Sequence, residues 1–181
     1  PRMTGEGGDA PIVLVGLPGA GKSTAGRIAA ERLGWTFVDL DEEIVRAAGG
    51  RPVPELFATE GEPAFRARER EATRNLRGRR RIVVAPGGGW MANPGCAELL
   101  RPPARIIHLR VGVPSALDRL RGSPEIRPLL AGADPAGALA ELERRRAAAY
   151  AGADVVLDTE VLSLQEVVES LARLASGAGG A

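Results

Sequence analysis

Residues 16–24 read GLPGAGKST: a glycine, four further residues, then Gly21-Lys22-Ser23. The G-x-x-x-x-G-K-S/T spacing lets successive backbone N–H groups turn inward around phosphate oxygens. A helix starting here adds unpaired N–H donors and the positive end of its dipole. Gly19, Ala20, Gly21, Lys22, Ser23 and Thr24 therefore form a candidate cradle for a nucleoside triphosphate, and Ser23 suits a Mg²⁺ ligand. Lys22 is the only lysine in a chain whose other basic residues are all arginine. A compact ammonium fits between β- and γ-phosphates where arginine's planar fork has a different geometry, which accounts for a lysine kept at this position alone.

A second candidate group is Asp39-Leu40-Asp41. If these residues end a strand, period-two alternation sends both carboxylates to the same side, on the edge where open α/β sheets bind ligands. One carboxylate can hold Mg²⁺ through water while the other orients an acceptor hydroxyl and takes its proton late in a loose phosphoryl-transfer transition state. The competing reading is that either aspartate caps the helix that follows.

The elements that must carry these groups are legible. PIVLVGL, residues 11–17, reads as a buried strand, and KSTAGRIAAERLG has helical spacing ended by Gly34. WTFVDLD, residues 35–41, reads as a second strand and EEIVRAAGG as a short helix stopped by paired glycines. PELFATEG and EPAFRARER-EATRNL read as two helical pieces, the second opened by Pro63. RIVVAPGGG is a third strand entering a triple-glycine turn. After it come a helix over CAELL, a strand over residues 104–111, a helix SALDRLR, a loop, a helix over LAELERRRAAAY, a strand ADVVLDT and the amphipathic helix SLQEVVESLARLA. Strands alternating with helices imply a mostly parallel sheet covered on both faces.

Bulk properties limit the function classes. The chain has 181 residues, 44% of them apolar, which suits one domain, placed at residues 11–176 with residues 1–10 and 177–181 disordered. A formal net charge of +1 argues against a nucleic-acid or membrane-surface protein. The basic run RGRRR at residues 77–81 reads as a solvated turn, with an anion contact as the alternative. One cysteine, Cys96, rules out an internal disulfide and suits a reducing cytoplasm, and no segment approaches the roughly 18 apolar residues of a membrane span or the apolar core of a signal peptide. Trp35 and Trp90 read as packing residues, and His108, between Ile107 and Leu109, as a satisfied core histidine.

Taken in order, GLPGAGKST, DLD, FATEGEPAFR, the GGG turn, RPLLAG and ERRRAAAY resemble the shikimate kinase family over residues 11–158. The resemblance implies a three-layer P-loop kinase fold of class α/β, with a five-stranded parallel sheet in the order 2-3-1-4-5, a substrate-binding helical region at about residues 41–76 and a lid at about 122–136. It implies ATP-dependent phosphorylation of the 3-hydroxyl of shikimate, with Mg²⁺, by a monomeric cytoplasmic enzyme. Site residues implied are Lys22, Asp41 and Arg127 for catalysis, Gly19–Thr24, Arg119 and the lid residue Arg127 for ATP, and Ser23 with Asp39 for the metal. For the substrate they are Asp41, Arg66, Gly87, Gly88, Gly89 and Arg146. Two guanidinium forks suit a carboxylate, and a carboxylate suits ring hydroxyls.

The sequence departs from the family pattern at the adenine end. Seven residues before the lid arginine stands Leu120, where an arginine is usual, so Arg119 takes that role on the allowance of one inserted residue. Asp158-Thr159-Glu160-Val161 replaces the usual polar loop with proline. The rivals are a gluconate-type or other small-metabolite kinase, a nucleotide-binding module without chemistry, and a signalling GTPase. The last is disfavoured because one lysine leaves no N-K-x-D guanine-reading motif.

Overall fold

The computed structural model describes residues 8–121 and 132–177. Five short strands, β1 (Ile12–Val15), β2 (Thr36–Asp39), β3 (Ile82–Ala85), β4 (Arg105–Arg110) and β5 (Val155–Asp158), form one parallel sheet in the order β2-β3-β1-β4-β5. This is the expected order. The inner strands β1 (IVLV) and β3 (IVVA) are buried at every residue, the third inner strand, β4 (RIIHLR), buries Ile106, Ile107 and Leu109, and the edge strands TFVD and VVLD are partly exposed.

The helices follow from local signals. Helix α1 (Lys22–Leu33) starts directly after the glycine-rich loop and ends at Gly34, whose N–H caps Ala30 and Glu31 from a left-handed conformation. It packs on β1, β2 and β3 and on the last helix, α7 (Leu164–Ala175), which opens with a Ser163/Glu166 capping box. Helix α2 (Leu40–Ala47) begins where β2 ends. The remaining helices are α3 (Val53–Arg74), α4 (Cys96–Leu100), α5 (Val113–Arg121) and α6 (Pro135–Tyr150).

Helix α3 is two pieces, as the sequence suggests. Gly61, at φ 81° and ψ 169°, interrupts it just ahead of Pro63. Glu60 braces the break, paired with Arg51 at 2.6 Å and Arg68 at 2.8 Å. Those two guanidiniums, Arg68 first, hold the Glu60 carboxyl below its ordinary range. The bend aims the second piece, with Arg66, at the turn after β3.

RGRRR is the solvated turn: residues 77–81 are exposed and Arg81 pairs with Asp9 at 3.0 Å. Arg81 N–H also donates to the Asp9 carbonyl at 3.0 Å, so chain packing begins ahead of residue 11. Among the described residues no helix is long and apolar enough to cross a membrane. Cys96 is fully buried, and burial pushes its thiol up to about 11.

Two outcomes follow. A Cβ on Gly61 meets little, its nearest contact being Pro63 Cδ at 3.8 Å, so Gly61→Ala isolates the backbone conformation. It should cost about 1–3 kcal/mol in a urea unfolding titration. Cys96 stays a protonated thiol through pH 8, so iodoacetamide labelling should be slow in native protein and stoichiometric in denaturant.

Candidate active site

The loop between β1 and α1 forms one wall of a cavity of about 780 Å³. Pro18 to Ala25 line it on one side, Arg119 and Leu120 of α5 on another, and Thr159 with residues 162–164 on a third. Lys22 folds over the loop, its Nζ donating to the carbonyls of Gly16 at 2.8 Å and Leu17 at 2.9 Å. The loop thus holds the ammonium at the phosphate cradle. Ser23 lies in the first turn of α1, beside the free N–H groups of the helix start.

Arg119 does enter this cavity. Its guanidinium donates to Thr159 Oγ1 at 2.9 Å and to the Thr159 carbonyl at 2.8 Å, while Leu120 is buried and Arg121 pairs outside with Asp118 at 3.6 Å. The arginine one position before Leu120 is thus the one that lines the cavity. Arg127 and most of the expected lid, residues 122–131, lie outside the described residues.

The two aspartates do not share a strand. Strand β2 stops at Asp39, which caps α2: its Oδ1 accepts from Asp41 N–H at 3.0 Å and Glu42 N–H at 3.2 Å. Asp41 belongs to the first helical turn. The same-side alternation expected for a strand therefore fails here, because an aspartate preceding an amphipathic run satisfies two orphan helix donors better than it extends a strand. Asp39 keeps Oδ2 for any further ligand.

The turn after β3 gathers three side chains. A Cβ on Gly87 would stand 3.0 Å from Asp41 Oδ1. One on Gly88 would overlap Arg146 Nη1 and lie 3.0 Å from Cζ of that residue. One on Gly89 would overlap Arg66 Nη2 and lie 2.7 Å from its Cζ. None of the three has a positive φ, so these glycines serve close approach and not backbone torsion. Each faces one of the three side chains assigned to the substrate. Arg146 Nη1 is buried and has no hydrogen-bond partner among the described residues.

Arg66 is held from behind. Its Nη1 donates to Glu69 at 3.0 Å and its Nη2 to Glu62 at 3.2 Å. Glu69 is completely buried and also accepts from Asn93 Nδ2 at 2.8 Å, and the same amide donates to the Arg66 carbonyl at 2.9 Å. Neither Glu69 nor Asn93 was anticipated. Glu69 stands three residues after Arg66 on a helix, a spacing that signals a pair, whereas Asn93 is brought in by the fold and carries no local signal.

Trp90 is a packing residue: it is fully buried, and its Nε1 donates to Thr73 at 2.8 Å, pinning the glycine turn to α3. Trp35 packs partly buried against the core. His108 is not the enclosed core histidine expected. It is half-buried and stacks on Tyr150, with ring centroids 4.6 Å apart, at a side cavity of about 260 Å³. Burial, then Arg110 and Lys22, lower its pKa, so it is neutral at physiological pH.

A phosphate-binding loop on β1 of a 2-3-1-4-5 parallel sheet, together with a carboxylate and two guanidiniums gathered on the turn after β3, defines a P-loop phosphotransferase of the small-metabolite kind. The shikimate kinase family model matches residues 18–175, and the chain belongs to that family. A shikimate kinase from Geobacter sulfurreducens is 43% identical over 161 residues, covering 89% of this chain and 88% of the relative. The structure of shikimate kinase from Acinetobacter baumannii in complex with shikimate superposes with a TM-score of 0.84 at 33% identity, covering 94% of each chain. A gluconokinase from Sinorhizobium meliloti, at a TM-score of 0.53 and 20% identity over 93% of this chain and 95% of its own, shares the fold alone.

Removing the acceptor behind Arg66 should be costly, because it leaves the buried Asn93 amide short of a partner. Glu69→Leu should lose about 1–3 kcal/mol of stability, read as a lower denaturant midpoint at unchanged m-value.

Proposed function

We propose that Lys22, Asp41 and Arg127 carry the chemistry of the family's reaction, ATP-dependent phosphorylation of shikimate at its 3-hydroxyl. ATP would lie on Gly19–Thr24 with Arg119 at the adenine end, and shikimate over Gly87–Gly89. The observation that carries the reading is the matching of three glycines to three side chains, among them Arg146, whose buried Nη1 has no hydrogen-bond partner among the described residues. Two forks clamp the ring carboxylate, which leaves Asp41 to the hydroxyls on the other side of the ring.

In this arrangement Asp41 orients the attacking hydroxyl and takes its proton as the bond to phosphorus forms. Lys22 offsets the charge that grows on the phosphoryl oxygens, and its contacts with the Gly16 and Leu17 carbonyls fix it before substrate arrives. Arg127, which the family likeness puts on the lid, would add a second cation on closure and help exclude water as a competing acceptor.

Among the described residues no three His, Cys, Asp or Glu side chains cluster as a metal cage. A hydroxyl, a single carboxylate and phosphate oxygens suit Mg²⁺, which keeps several waters, so Ser23 directly and Asp39 through water fit as its holders. Bound there, the ion would neutralise β,γ-phosphate charge. A monomer is part of this proposal. A single buried cysteine and a formal net charge of +1 support a cytoplasmic enzyme that engages neither nucleic acid nor membrane.

A gluconate-type kinase remains the chemical rival, but a flexible open-chain acid makes poor use of two fixed guanidiniums set opposite a carboxylate. ADP release with MgATP should be rapid with shikimate and at background with gluconate or nucleoside monophosphates. Turnover on gluconate and none on shikimate would overturn the reading. Asp41→Asn should lower kcat by about 10²- to 10⁴-fold, and a rate within about threefold of the parent would remove Asp41 from acid-base chemistry. Lys22→Arg should stay folded by circular dichroism and lose most activity, because the fork cannot replace a point charge between phosphates.

A further inference from the structure

Helix α6 ends on Tyr150, four residues after Arg146, so the two side chains share a helix face. Tyr150 is only 4% exposed, a depth at which a phenol needs a partner. Its hydroxyl donates to the Gly88 carbonyl at 3.3 Å. The neighbouring carbonyls have backbone donors, Trp90 N–H for Gly87 at 3.1 Å and Ala92 N–H for Gly89 at 3.2 Å. No backbone donor among the described residues takes that of Gly88. Below, the Tyr150 ring rests on His108 of β4. Burial raises the Tyr150 pKa, and the charge of Arg146 and a side-chain hydrogen bond between the two residues oppose it, so the hydroxyl keeps its proton throughout the working range and touches the guanidinium as well as the turn.

We infer that Tyr150 is a positioning residue for the carboxylate end of the substrate pocket: its hydrogen bond to Gly88 fixes the glycine turn against the face of α6 that carries Arg146. The Arg146 guanidinium sits where a Gly88 side chain would be, so any drift of the turn moves the wall against which that guanidinium is seated. The His108 ring backs the phenol from the sheet side and keeps the hydroxyl aimed. This inference rests on the proposed role of Arg146 in binding the substrate carboxylate.

Tyr150→Phe removes the hydroxyl and keeps the ring on His108. The test compares it with the parent, with Arg146→Lys and with the double variant, by initial rates of ADP release and by equilibrium titration with shikimate alone. The single Tyr150→Phe change should raise the KM and Kd for shikimate about three- to tenfold while kcat and the KM for ATP stay within about twofold. In the Arg146→Lys background the same change should have little further effect, since the residue it acts through is already displaced. Parental shikimate affinity, a parallel rise in the KM for ATP, or penalties that simply add would each overturn the positioning role. If Arg146→Lys by itself leaves shikimate binding at the parental value, the carboxylate assignment fails and this inference falls with it.

Discussion

Two guanidiniums and a carboxylate can close on one short turn only if that turn has no side chains of its own. Gly87, Gly88 and Gly89 meet this condition, and each yields its Cβ space to a different partner: Asp41, Arg146 and Arg66. The rest of the fold answers to that constraint. A fully buried β3 delivers the turn, and Trp90 anchors it from below. The N-cap of α2 sets Asp41, the break at Gly61 sets the direction of Arg66, and the last turns of α6 bring Arg146. Three elements far apart in sequence therefore converge on three consecutive residues.

The charges divide between two pockets by geometry. At the phosphate loop a single ammonium sits on two backbone carbonyls, a contact that fixes its place and that a phosphate can share. At the glycine turn the cations are planar forks, one of them backed by a buried carboxylate that is itself held by Asn93. Such backing fixes the fork before a ligand arrives, and so lowers the cost of ordering it on binding. Arg146, by contrast, has a buried nitrogen without a hydrogen-bond partner among the described residues.

Much of this was legible in the sequence, and the misses have physical causes. The phosphate loop and the sheet order could be read because the motif is continuous and the strands are uninterrupted apolar runs between turn signals. Asp39 and Asp41 misled because D-L-D satisfies both strand alternation and helix capping, and two orphan N–H groups decided the matter. Leu120 in place of an arginine looked like a defect, yet Arg119 reaches Thr159 from one position earlier on the helix. His108 could not be placed by pattern, since strand periodicity gives its face but not what α6 lays over it. Asn93 and Tyr150 were invisible for the same reason: their partners, backbone and side-chain alike, are supplied by tertiary packing.

The central claim is that the missing side chains of the glycine turn make the acceptor pocket. Because Gly88 and Gly89 have ordinary backbone angles, alanine at either position perturbs space and little else. Titration calorimetry of Gly88→Ala and Gly89→Ala with shikimate, and separately with MgATP, measures this directly. Overpacking of about 1–3 kcal/mol predicts a loss of shikimate affinity of about 5- to 150-fold in each variant, with MgATP affinity unchanged. Parental shikimate binding in both, in folded protein, would contradict it.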